Sequence, residues 1–236
     1  MNQALLSIVV LLSFQSFAAE STPAKISDFN YYTITNIETT KLPAEASNLS
    51  LEKMETEDAL LRPALQDGSL EDEIVSINKI INIGKVVWSI VEAGKPVLNL
   101  QTNVASALPK GISGWSDLSH WAEPVSSSFA VSAKNTFGIE VVSFKYRIVY
   151  VYGGSYNGKG HYIGYASLEP SDIQVAWGFN LDAQAFIQNV FNAGSDKDPV
   201  GALQLMMQYK ISSPMAIIQQ SQSYYMNGKG AFKSLD

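Results

Sequence analysis

From Ile173 to Ala185 the chain alternates without interruption. Ile173, Val175, Trp177, Phe179, Leu181 and Ala183 fall on one side, and Gln174, Ala176, Gly178, Asn180, Asp182 and Gln184 on the other. A repeat of two is the pitch of a β-strand with one wetted face, so the spacing predicts a strand that buries its apolar set. The same period recurs in Leu98, Leu100, Thr102 and Val104, in Phe129, Val131 and Ala133, and in Leu203, Leu205, Met207, Tyr209 and Ile211. A long strand is predicted from Val142, Phe144, Tyr146, Ile148, Tyr150 and Tyr152, and a last one from Met215–Met226 after Pro214. The glycine-rich run 153–160 contains Asn157-Gly158, a pair suited to positive φ, which predicts a hairpin into His161–Leu168. Each such strand must hide one face. A series of them joined by short turns predicts a mainly β domain over 96–236, an antiparallel β-sandwich, immunoglobulin-like or similar, with a small barrel as the alternative.

Upstream of Pro96 the period changes. Ser69 with Asp72 three residues later is a helix-start pattern, and Gly94 with Pro96 is a stop. Between them Ile74, Ile77, Ile81, Trp88 and Val91 line one side, while Asn78, Asn82, Lys85 and Ser89 form a polar stripe. This predicts one amphipathic α-helix over 69–94 preceding the sandwich. Its many β-branched residues and Gly84 are poor helix formers, so packing or membrane contact must hold it. Residues 19–68 are rich in Thr, Ser, Glu, Pro and Ala, with acids at Glu52, Glu55, Glu57 and Asp58, a composition expected to stay flexible. Leu5–Leu12 is an apolar run followed by small residues at Ser16 and Ala18, the pattern of a signal peptide spanning 1–18. Export to the periplasm or beyond the cell is therefore expected.

Composition narrows the chemistry. A net charge of -6 supplies no field to collect phosphates, which argues against nucleic acid as a partner. The chain has no cysteine, so disulfides, thiolate nucleophiles and thiolate metal sites are excluded. His120 and His161 are its only imidazoles, and there is no Gly-x-Ser-x-Gly, His-Glu-x-x-His or phosphate-loop motif. No catalytic residue, metal or cofactor is expected on this ground. An enzyme would instead show a concave pocket holding His120 or His161 near a carboxylate.

Asn-Gly-Lys-Gly occurs twice, at 157–160 and 227–230, and is read as two wet turns rather than a repeated ligand loop. The run Asn192–Asp198 is rich in oxygen ligands but lacks the bidentate Glu of a calcium loop, so a surface loop is expected. Trp115 and Trp121 flank His120; exposed together they would suit a sugar face or a lipid boundary, and buried they would cap the core.

These features predict an exported, non-catalytic binding module with a protein or glycan partner. The alternative is a membrane-active protein, similar in arrangement to the actinoporin-like cytolysins, in which a helix lies beside a sandwich. That likeness implies peripheral membrane contact through Ile74, Ile77, Ile81, Trp88 and Val91, with Lys85, Trp115 and Trp121 as further contacts to membrane or partner.

Overall fold

The computed structural model describes residues 26–43, 75–82, 89–91, 98–99, 105–112 and 114–235. In chain order its elements are α1 (Ile26–Tyr32), β1 (Ile34–Lys41), β2 (Ser76–Ile81), β3 (Ser89–Val91), β4 (Leu98–Asn99), β5 (Ala105–Lys110), β6 (Val125–Asn135), β7 (Glu140–Tyr156), β8 (Lys159–Val175), β9 (Asn180–Asn192), β10 (Gly201–Ser212), β11 (Ile217–Asn227) and β12 (Phe232–Ser234). One sheet has the order β1-β6-β7-β8-β5-β2 and the other β12-β11-β10-β9-β3-β4. The two pack face to face as a mainly β, antiparallel sandwich, as the alternation predicts.

The long strands behave as their sequence requires. Val142, Phe144, Tyr146, Ile148 and Tyr150 are buried along β7, opposite Ala133, Val131 and Phe129 of β6. Leu203, Leu205, Met207, Tyr209 and Ile211 are the matching buried set of β10 in the other sheet. Each fully buried side chain of this size contributes about 1.5–3 kcal/mol, so these two strands dominate the core. Tyrosines fill it without stranding their hydroxyls. The Tyr146 and Tyr224 hydroxyls meet across the sheets at 2.5 Å, both reach Gln222 Oε1, and Tyr209 donates to Gln220 Oε1 at 2.7 Å.

Three expectations need correction. The Ile173–Ala185 strand is two strands: β8 ends at Val175 and β9 begins at Asn180, with a tight turn between them in which Gly178 has φ 82°. Phe179, Leu181 and Ala183 are buried, but Trp177 stands at the tip, 78% exposed. Period two carries no sign of chain direction, so an apolar alternation that continues through a hairpin hides the reversal.

The helix predicted over 69–94 is not formed where the chain is described. Ser76–Ile81 pairs with β5, and Ser89–Val91 pairs with β4 and β9. Isoleucine and valine lose χ1 freedom in a helix, and the open edges of β5 and β9 offer them a ladder instead. Ile77 and Ile81 are half-buried on β2, Val91 lies in β3, and Ile74, Lys85 and Trp88 fall outside the described residues. The helix that does precede the sheets is α1, one short element of seven residues.

The stretch 19–68 is corrected too where it is described, because it contributes both α1 and β1; 19–25 and 44–68 lie outside the described residues. Tyr31, Tyr32 and Ile37 pack on the core, Ile34 is buried, and β1 pairs along β6 from Ile34 with Asn135 to Lys41 with Phe129. Averaged composition missed a few apolar residues placed against an available sheet edge. Of the strand predicted at Leu98–Val104, Leu98–Asn99 is β4 and 100–104 lie outside the described residues, as does the signal peptide expected over 1–18. Among the described residues no helix is long and apolar enough to cross a membrane.

Candidate functional site

The two Asn-Gly-Lys-Gly tetrapeptides fold differently and meet at one end of the sandwich. In the first, Asn157 (φ 51°) and Gly158 (φ 72°) are the two central residues of the β7–β8 hairpin, closed by Tyr156 opposite Lys159. Two successive positive φ angles define the turn that matches strand twist. In the second, Asn227 stands outside the bend and clamps it: its Oδ1 accepts the amides of Lys229 (3.0 Å) and Ala231 (3.1 Å), while Gly230 takes the positive φ at 84°. Register therefore decides what identical residues do.

A third loop, 193–200, joins them. The His161 amide donates to the Pro199 carbonyl at 2.9 Å, the Gly228 amide to the Gly201 carbonyl at 2.8 Å, and His161 forms a bridge with Val200 that ties one sheet to the other. The approach is so close that a Cβ on Gly228 would lie 2.1 Å from the His161 carbonyl oxygen. Only glycine fits.

These loops enclose an open cleft of about 610 Å³ between His120, Ser155, Lys159, His161, Lys197 and Asp198, with Gly153, Gly158 and Gly160 in its walls. Both histidines of the chain face it. His120 has φ 66°, a conformation that costs a non-glycine residue about 1 kcal/mol or more. Its neighbours hold it there: the Ser119 and Ser155 backbones exchange two hydrogen bonds, at 3.1 and 2.8 Å, and His120 Nδ1 lies 2.9 Å from Ser119 Oγ and 3.1 Å from Ser155 Oγ. On the facing wall, His161 Nε2 is 3.8 Å from Asp198 Oδ1, and Asp198 Oδ2 accepts Lys229 Nζ at 3.0 Å. That hydrogen bond, with the Lys229 and His161 charges behind it, holds the Asp198 carboxyl below the usual carboxylate range. Loop 193–200 is kept in shape by its own side chains, because Asn192 Oδ1 accepts the amides of Gly194 and Val200 and Ser195 Oγ accepts that of Asp198. Of the oxygens that suggested a cation loop, those of Asn192 and Ser195 are occupied with backbone amides, while Asp196 Oδ1 accepts Asn78 Nδ2 at 3.4 Å and Asp198 Oδ2 accepts Lys229 Nζ.

Trp115 and Trp121 sit behind the cleft, half-buried and edge to face at 6.0 Å. They pack on Val151, Tyr165, Leu108, Ile112, Leu118 and Tyr162, on the side of the β7–β8 pair away from the inter-sheet core. They cover one sheet rather than cap the sandwich. The Trp121 indole fills the space above Gly154 and Gly164, where Cβ atoms would come within 2.3 and 2.7 Å of it. This seats the chain beside β7 and so places His120 against Ser155. Below, Tyr162 donates to the Ile77 carbonyl at 2.7 Å and latches β2 to the site; burial, and then the Asp198 charge, push its hydroxyl up to about 12.

Of the residues expected to make outside contacts, Ile77, Ile81, Trp115 and Trp121 do not line the cleft, Val91 lies in β3, and Ile74, Lys85 and Trp88 lie outside the described residues; the histidines line it, with Ser155, Asp198 and the lysines. The one sequence signal for this meeting was the repeated tetrapeptide, since both copies flank the site. Among the described residues no three His, Asp or Glu side chains converge on a metal position. The arrangement offers cationic and neutral donors on two walls, one carboxylate, and backbone exposed by glycine, a set suited to anionic or hydroxyl-rich groups. No family model, curated protein or solved structure matches the chain.

Proposed function

We propose that this is an exported, non-catalytic β-sandwich module that binds a partner at its loop end, taking an acidic glycan group between His120, His161, Lys159 and Lys197. One observation carries the reading: the only two imidazoles and two lysines of the chain converge on an open, glycine-walled cleft built by three separate loops. Binding sites are commonly grafted onto loops held by a rigid scaffold. The closed hydrogen bonding of loop 193–200 and the Trp121 wedge supply that rigidity. Titration with acidic and neutral oligosaccharides, followed by amide chemical shifts, tests it. Acidic ligands should perturb residues 155–161 and 196–198, and His161→Ala with Lys159→Ala should weaken binding by tenfold or more. Perturbations confined to the other end of the molecule refute the site.

Two contacts favour a second, catalytic reading: the cleft holds His161 Nε2 3.8 Å from the Asp198 carboxylate, the pocket an enzyme was expected to show, and His120 Nδ1 is within proton-transfer reach of Ser155 Oγ at 3.1 Å. A fluorophosphonate probe separates the two. Labelling of Ser155 that vanishes in His120→Ala would make the cleft a hydrolase site.

A further inference from the structure

The end of the sandwich opposite the cleft has a different surface. Three hairpin turns meet there: 135–139 between β6 and β7, 176–179 between β8 and β9, and 213–216 between β10 and β11. Helix α1 binds them together. Asn135 Nδ2 donates to the Tyr31 carbonyl at 3.1 Å, Ser213 Oγ to the Tyr32 carbonyl at 2.7 Å, and the Tyr31 hydroxyl to the Trp177 carbonyl at 3.4 Å. The structure has seven exposed large hydrophobic side chains among its described residues, and six of them are here: Phe29, Phe137, Ile139, Trp177, Met215 and Ile217. Scattered single apolar residues need no explanation, but six on one end do.

We infer that this end docks into the interfacial region of a zwitterionic lipid bilayer. The shape fits a fluid surface, because the apolar side chains project from four separate elements and the two most exposed, Trp177 at 78% and Ile217 at 73%, stand on different hairpins. The three turns contain no Asp, Glu, Lys or Arg, and α1 carries Asp28 alone. Charge begins further down the strands and comes largely in matched pairs, with Glu38, opposite Ser132 on β6, as an added acid. Lys134 stands opposite Glu140 across β6 and β7, Lys145 is 2.8 Å from Asp172, and Lys210 is 3.2 Å from Asp182. Ser132, Ser143 and Lys134 keep the Glu140 carboxyl below its ordinary range, so it holds its charge. The order from tip inward is therefore aliphatic and aromatic, then tyrosine, then a ring of both signs with no excess of cations. A bilayer presents the same order in reverse, with acyl chains, an aromatic-accepting boundary and zwitterionic headgroups. A surface that bound anionic lipid by charge would carry an excess of lysine instead.

The mature full chain is floated with phosphatidylcholine vesicles while tryptophan emission is followed, Trp177→Phe giving the Trp177 contribution by difference. The expected result is flotation, a blue shift of the Trp177 component and its quenching by lipids spin-labelled near the headgroup. Trp177→Ser and Ile217→Ser should each reduce the partition coefficient roughly tenfold, given the apolar area each inserts. Both positions are exposed, and far-ultraviolet circular dichroism with the melting temperature confirms that the variants fold. Adding phosphatidylglycerol or salt should change little. The inference is overturned if vesicles fail to float the protein, if only anionic vesicles do so and salt releases them, or if the substitutions leave partitioning unchanged. It is equally overturned if the wild type forms a dimer that Trp177→Ser dissolves, since a second copy would then be the occupant. His120→Ala should leave flotation intact, which keeps this result separate from any outcome at the cleft.

Discussion

The Trp121 indole occupies the space a side chain on Gly154 would need: a Cβ there would stand 2.3 Å from the ring. The contact joins the chain beside β7 to the sheet itself, and through it the position of His120 depends on a glycine that never touches the cleft.

Gly154→Ala should therefore destabilise the fold by about 1–3 kcal/mol, the range for overpacking a filled site. Urea denaturation measures it. The same variant should shift the His120 ring resonances, because Trp121 must move; a Trp121→Phe variant, smaller by one ring, should relieve part of the loss when combined with Gly154→Ala.

Glycines at the two ends of the sandwich should respond differently. At Gly228 a Cβ would meet the His161 carbonyl oxygen at 2.1 Å, so Gly228→Ala must separate the two sheets at the loop end. Gly138 has φ 75° but nothing within 4 Å of a Cβ, and Gly138→Ala should cost only about 1 kcal/mol of backbone strain. A larger loss at Gly138 than at Gly228, read from denaturant midpoints, would contradict this assignment of the close contact.

The two Asn-Gly-Lys-Gly turns make opposite predictions for one substitution. Asn157 lies in a positive-φ position and its replacement by glycine should be neutral or mildly stabilising. Asn227→Gly removes the Oδ1 clamp on two backbone amides and should cost about 1–2 kcal/mol. Thermal melts of the two variants, side by side, decide it.

High pH should unfold the protein through tyrosine. Burial raises the Tyr150 and Tyr162 hydroxyls to about 12, with Tyr152 adding to the first and Asp198 to the second. Both groups are favoured neutral in the folded state and ionise nearer 10 when unfolded. Their stabilising contribution is thus complete below pH 10 and is lost as pH rises from there through about 12. Tyr162→Phe should flatten that alkaline limb while lowering stability near neutrality by about 1 kcal/mol, since the Ile77 carbonyl loses its donor. Asp198 has the opposite sign: its carboxyl is depressed, so its contribution is present above the ordinary carboxylate range and disappears as acid titrates it.

The alternation of Val142–Tyr152 and of Leu203–Ile211 was legible because burial on one face is written locally, residue by residue. That record determined the sandwich. It also fixed the Asn157-Gly158 hairpin, where the required φ angles leave few residue choices. Pairing partners are a different kind of information. Whether Ile77 and Ile81 belong to a helix or a strand turned on an open edge at β5, which lies outside their own stretch of chain, and the edge decided against the helical spacing. The reversal at Trp177 and Gly178 was invisible for a related reason, since a tight turn preserves the period while sending the chain back. His120 and His161 met because loop lengths and sheet order brought three turns to one end, and the six exposed apolar residues gathered at the other end by the same closure. Local sequence set which side of each strand is dry; the closing of the two sheets, which balances edges, twist and turn lengths across the whole domain, set which residues became neighbours.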